Sequence, residues 1–199
     1  MRRLLDLDAR DGITLGIFNA LILVVGFGVL TLLHFLPGVL VLFKEAVVAV
    51  AVGPIFLLLV ERVRKPGVFT VCGVAQGFFF MLLGFFTVGF ASVLGGLAAD
   101  LVASRARYAS PGANIAAYVV MRLFYVAGTY VPFYFWSESF IGDLVTSGRV
   151  GRAFLDFLEA SLDWNMGLAI LAANIVGAVV GGLLGQRMVE RHFRRAGIA

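Results

Sequence analysis

Six apolar runs, each about as long as a bilayer is thick, constrain this chain more than any other feature. They fall at roughly 13–34, 38–60, 68–86, 88–104, 113–136 and 165–187. A helix needs about 20 mostly apolar residues to cross ~30 Å of hydrocarbon. Backbone groups in lipid must also find their partners internally, which leaves helices or closed barrels, and runs of this length suit helices. The expected fold is an all-α integral membrane protein with six transmembrane helices in one domain, 1–199. Composition agrees, since 61% of the residues are hydrophobic and the mean hydropathy is +0.99. A soluble domain is about 45–50% apolar.

The stretch 68–104 requires a break. As one helix it would run about 55 Å at 1.5 Å per residue, too far for a single crossing. A turn at Thr87-Val88-Gly89 divides it into two short spans. With the N-terminus inside, the cytoplasmic side then holds Arg2, Arg3, Arg10, Arg62, Arg64, Lys65, Arg105, Arg107, Arg187, Arg191, Arg194 and Arg195. Only Arg149 and Arg152 fall outside. Twelve against two is the bias expected when the positive side faces the cytoplasm, and it puts both termini there. The net charge of +4 is therefore read as topology and not as a nucleic-acid surface. The opening MRRLLDLDARDG carries three acids and no small-residue cleavage site follows, so the first run is expected to be kept as a span. The single cysteine, Cys72, excludes an internal disulfide and a cysteine-rich metal site.

Three full charges stand inside the apolar runs: Lys44, Glu45 and Arg122. Each costs at least ~2.5–3.5 kcal/mol at a helix centre, so such groups pair or line a cavity. Adjacent helical residues point about 100° apart, so Lys44 and Glu45 cannot simply neutralise each other along one face. Two readings stay open. In one, Lys44 snorkels to the headgroups and Arg122 pairs with Glu45 or Asp100. In the other, Lys44, Glu45 and Arg122 belong to an outward-facing polar pocket whose cations hold a ligand's carboxylate or phosphate. Tyr118, Tyr125, Tyr130 and Tyr134 recur on the span of Arg122 and offer hydroxyls or stacking faces. Asp100 opposes its own helix dipole and so calls for a cation, Arg105 or one on a neighbouring helix. His34 reads as an interfacial or capping residue, or as an axial ligand for a metal or haem.

Two rows of small residues recur every four positions. Gly12, Gly16 and Ala20 lie in the first span, and Ala169, Ala173, Gly177, Gly181 and Gly185 in the sixth. Such rows allow close helix contact. The sixth-span row is expected to pack inside the bundle. The first-span row suits internal and intermolecular contact equally. The outer segment 137–164 is the only long connection. Its RAFLDFLEASLDW sets Arg152, Asp156, Glu159 and Asp163 against Phe154, Leu155, Leu158 and Leu162. This is an amphipathic interfacial helix, either a surface tether or a lid over the pocket.

No GxxxxGK[ST] phosphate loop, HExxH or GxSxG elbow occurs, and two histidines leave little material for acid–base chemistry. The chain therefore reads as a non-enzymatic protein. Four segments, DGITLGIFNA, VERVRKPG, GGLAADL and LLGQRMVERHFRRAGI, give it a likeness that extends over nearly its whole length. It resembles the Trep_Strep, or MptD-like, group of substrate-binding S components of energy-coupling-factor (ECF) transporters. The resemblance implies a six-helix protein that binds a micronutrient from outside. It would then dock on a shared transmembrane coupling subunit carrying two ATPases, and topple in the membrane to release its ligand. In such proteins a small-xxx-small motif on the first helix contacts the coupling subunit. Gly16 and Ala20 match it here, with Gly where Ala is more usual at the first position. The group's substrates are mostly unassigned, so no ligand residues follow from the likeness.

The expectation is thus a multi-pass S subunit of an ABC-type ECF importer in a bacterial plasma membrane, with no cofactor of its own. It would bind a small, anionic, micronutrient-like molecule through Lys44, Glu45, Arg122, Tyr125, Tyr130 and His34, and the coupling subunit through Gly12, Gly16 and Ala20. One alternative is a haem- or porphyrin-binding S component, which the Phe content and His34 would suit. The other is a structural or assembly membrane protein in which the buried charges only pair helices.

Overall fold

The computed structural model describes residues 7–135, 142, 146–148 and 151–193, with side chains through Arg191. Arg2, Arg3, Arg149, Arg194 and Arg195, and most of 137–150, lie outside the described residues. Seven α-helices and one 3-10 segment account for nearly all of the rest, and no strand occurs among the described residues. They are α1 (Ala9–Leu33), the 3-10 segment (Gly38–Phe43), α2 (Lys44–Val63), α3 (Val68–Leu82), α4 (Phe86–Ser104), α5 (Pro111–Phe135), α6 (Arg152–Ser161) and α7 (Trp164–Phe193). Five apolar stretches are long enough to cross a membrane: α1, the 3-10 segment with α2, α4, α5 and α7. The sixth, α3, is apolar but has 15 residues, about 22 Å of helix.

Local chemistry sets the boundaries. Asp8 and Asp11 form a capping box at the start of α1, where the Asp11 amide donates to Asp8 Oδ1 at 2.9 Å and the Asp8 amide to Asp11 Oδ2 at 3.0 Å. Pro37 and Gly38 separate α1 from the second run, which does not open as an α-helix. It enters as the 3-10 segment, so Lys44 is the first residue of α2 and not a position well down a helix. The break in 68–104 falls at Leu83–Phe85, ahead of the expected Thr87–Gly89. Gly84 takes φ +83°, a left-handed conformation that costs residues with a Cβ, and the Phe85 amide closes the turn on the Phe80 carbonyl at 2.9 Å. Gly89 has another use: a Cβ there would lie 2.8 Å from the Gly77 carbonyl oxygen of α3.

Helix contacts in lipid gain little from the hydrophobic effect and rest on van der Waals packing and hydrogen bonds. Glycine accordingly lines the tightest crossings. Gly177, Gly181 and Gly185 of α7 run parallel to α2 against Ala46, Ala49, Gly53 and Leu57, as expected for the inner part of that row. Ala169, by contrast, is exposed. Gly73 and Gly96 bring α3 onto α4, and Gly128 brings α5 onto α4. The first helix is the outlier. Only 17% of its apolar window is buried, against 50% for α2, and its buried residues are Leu15, Asn19 and Ile22.

At the end of the bundle where α1 begins, polar groups tie the helices together. Lys65 donates to Asp11 at 2.6 Å, and this bond holds its ammonium above its ordinary value. Among the described residues Asp100 finds no cation. Its carboxylate accepts from the amides of Phe69 at 3.2 Å and Thr70 at 2.7 Å, and from the Tyr108 hydroxyl at 3.0 Å. The charge is met by the N-terminus of α3, whose free amides and positive dipole end stabilise an anion. Burial, and next the charge of Asp100, push the Tyr108 phenol above its usual range. Arg10, Arg62, Arg64, Arg105, Arg107, Arg187 and Arg191 lie on helix ends at this same side, whereas Arg152 begins α6 at the other.

Candidate functional site

The opposite end holds a cavity of about 460 Å³. The end of α1, the 3-10 segment, α2, α4 and α5 wall it, and α6 contributes Phe154, Leu155 and Leu158. The α6 helix is amphipathic as the sequence implies. Leu155 and Leu158 are buried, while Arg152 and Asp156 pair on the exposed face at 3.0 Å. Aromatic rings from Phe27, Phe80, Phe85 and Phe133 make the cavity largely apolar. Its polar lining includes His34, Lys44, Glu45, Tyr125, Thr129 and Tyr130. Five of the six expected binding residues therefore meet around one space, drawn from positions 34 to 130.

The expected sixth, Arg122, does not line this cavity. It faces two small cavities beside it, of about 30 and 10 Å³. The guanidinium is turned to Glu45: Nη2 donates to Glu45 Oε2 and to the Glu45 carbonyl, both at 3.0 Å. Glu45 is 2% exposed and Arg122 6%, so each charge relies on the other. Glu45 also stands in the first turn of α2, where the helix dipole favours an anion. Of the two partners expected for a paired Arg122, the geometry gives Glu45 and not Asp100. Tyr125 lies under the guanidinium, with the ring centroid 4.7 Å from Cζ.

Lys44 points elsewhere than Glu45, as adjacent helical positions must. Its Nζ sits 3.3 Å from His34 Nδ1 and 5.7 Å from the centroid of Phe154 on α6. An ammonium has only protons to give, so Nδ1 is the acceptor and His34 carries its proton on Nε2. The His34 ring in turn lies 5.1 Å from that of Phe154. Among the described residues, no carboxylate pairs with Lys44.

The tyrosines of α5 divide by role. Tyr118 donates to the Ala49 carbonyl at 2.7 Å, Tyr130 to Leu42 at 3.0 Å and Tyr134 to Asp163 at 2.9 Å. These three pin α5 to α2, to the 3-10 segment and to the start of α7. Tyr125 has no hydrogen-bond partner for its hydroxyl among the described residues, and it borders all three cavities. Gln76 and Ser92 belong to the site but escape a search for charges. Both are buried beside Arg122, and a lone glutamine within VFTVCGVAQGFFFML is the only sequence signal of it. The expected first-span contact residues, Gly12, Gly16 and Ala20, lie in the first half of α1, away from the cavity, and are all exposed, with no described residue within 4 Å of where a Cβ on either glycine would stand.

The profile of a family described as "Hypothetical bacterial integral membrane protein (Trep_Strep)" matches residues 9–195. No curated protein and no solved structure matches the chain.

Proposed function

The chain belongs to the Trep_Strep family of hypothetical bacterial integral membrane proteins, and on that premise we propose that it is the solute-binding subunit of an energy-coupling-factor importer. The observation that carries this reading is the cavity. A space of about 460 Å³ with aromatic walls and, among the described residues, an ammonium without a carboxylate partner and a tyrosine hydroxyl without a hydrogen bond has the make-up of a small-molecule site. In this reading α3 crosses as a short sixth span. The arginine-bearing end faces the cytoplasm with both termini, and the cavity opens outward under α6. The ligand arrives from outside, is held without any reaction, and is released when partner ATPases drive the complex. The exposed face of Gly12, Gly16 and Ala20 serves as the contact for the coupling subunit.

The test is a native mass spectrum of the tagged protein drawn from bacterial membranes in mild detergent. The expected result is a small-molecule adduct together with a larger membrane subunit and two ATPases. An adduct of porphyrin mass would move the assignment to the haem alternative. A bare chain with neither ligand nor partners across several detergents would overturn the reading in favour of a structural protein.

A further inference from the structure

Two buried donors beside the cavity have no partner among the described residues. Arg122 Nε and Gln76 Nε2 are both without a hydrogen bond, on side chains that are each 6% exposed. An unmet buried donor costs the full desolvation of that group, so something with lone pairs is expected to meet it. Both side chains border the same two small cavities, of about 30 and 10 Å³. The larger of these shares Glu45, Phe80 and Tyr125 with the main cavity, so it forms that cavity's floor.

Charge decides what kind of acceptor suits the floor. Arg122 is already balanced by Glu45 at 3.0 Å, and a second carboxylate there would set two anions on one guanidinium. A neutral acceptor avoids that repulsion. The nearby Glu45 carboxylate would at the same time welcome an N–H on the same group. A carbonyl beside an N–H, as in an amide or a ring lactam, presents both on one planar edge. The neighbouring rings of Phe80 and Tyr125 favour a flat body. An anion has a different place, at Lys44, whose ammonium among the described residues meets the His34 ring and the face of Phe154 and no carboxylate.

We propose that the cavity takes a two-ended solute, with an uncharged, amide-like planar edge on the Gln76–Arg122–Tyr125 floor and an anionic group held by Lys44. This rests on the reading of the cavity as the solute site. It does not rest on any partner subunit.

The experiment uses the full chain in nanodiscs and three probes: benzoate, benzamide and 4-carbamoylbenzoate, each titrated at millimolar concentration by ligand-observed NMR. The doubly functional probe is expected to bind about tenfold tighter than either parent, because both ends are then met. Gln76→Leu should reduce its affinity to that of benzoate, and Lys44→Met to that of benzamide. Tyr125→Phe, which preserves the ring, should weaken benzamide and leave benzoate unchanged. Equal affinities for all three probes, or no binding of any, would overturn the proposal. So would a Gln76→Leu protein that keeps the full preference, since ordered water would then satisfy the floor donors. Failure of the importer reading looks different: the probes still bind in this order, and no coupling subunit or ATPase co-purifies.

Discussion

The two small-residue rows look alike in sequence and behave in opposite ways. On α7 the row is closed. A Cβ on Gly181 would lie 2.5 Å from the Ala49 carbonyl oxygen and 3.0 Å from Val50 Cα, both backbone atoms that cannot swing aside. On α1 the row is open, with no atom within 4 Å of a Cβ on Gly12 or Gly16, and Ile13 and Ile17 beside them are 65% and 63% exposed. Spacing alone says only that a helix can be approached closely. Whether a helix of the same chain already occupies that face is a separate fact. In α7 it does, and the glycines are structural. In α1 no described residue does, which leaves the face open to lipid or to another protein.

The contrast can be broken most severely at α2, which α7 and α5 hold from different sides. Glu45→Leu removes the partner of a buried guanidinium and should cost about 3–5 kcal/mol, whereas Glu45→Leu with Arg122→Leu should recover most of it. Thermal unfolding in detergent, followed by the loss of the monodisperse chromatography peak, reads both. If the double variant is as damaged as the single one, the pair does more than neutralise itself. Next comes Gly181→Leu, expected to cost about 3 kcal/mol, the upper end for overpacking, because α2 and α7 must separate. A variant that melts with the parent protein would mean the α2–α7 contact is looser than described. The matching change on the open row, Gly16→Leu, should cost the isolated chain nothing and leave it within about 1 kcal/mol of its parent. Under the importer reading it should nevertheless abolish co-purification of the coupling subunit. Retention of that subunit would return the α1 face to lipid. The smallest effect is Gly16→Ala, a gain of about 0.5 kcal/mol from the lower helical entropy cost of alanine. A loss on the same melting assay would reveal a neighbour that close contact had filled.

Much of this was legible in the sequence because it depends on local composition. The apolar runs and the amphipathic period of Arg152–Ser161 are set by residues within a few positions of one another. Part of the cavity lining was legible too, because charges in an apolar run are few and costly, and Lys44, Glu45, His34, Tyr125 and Tyr130 do gather at one cavity. Three things were not. The turn between α3 and α4 rests on Gly84, and nothing in the local sequence ranks that glycine above Gly89. Asp100 was matched to a cation, on its own helix or a neighbouring one, because only charged partners were weighed, whereas its partner is the amide-rich start of α3, some thirty residues away. Gln76 carries no charge and drew no notice until its neighbours were known.

The sequence by itself determined that the chain is a bundle of membrane helices, which helix faces can approach closely, and which side chains are too costly to leave without purpose. Those follow from what each segment of chain owes to lipid, wherever the other segments lie. Only the tertiary structure decided that Arg122 belongs to Glu45 while Lys44 pairs with no carboxylate among the described residues, and that described helices cover the glycine row of α7 and not that of α1. Ion pairing and close packing act over a few ångströms, and the residues concerned are 77 apart for the ion pair and more than a hundred apart for the glycine contact. Distances of that kind are set by the packing of whole helices.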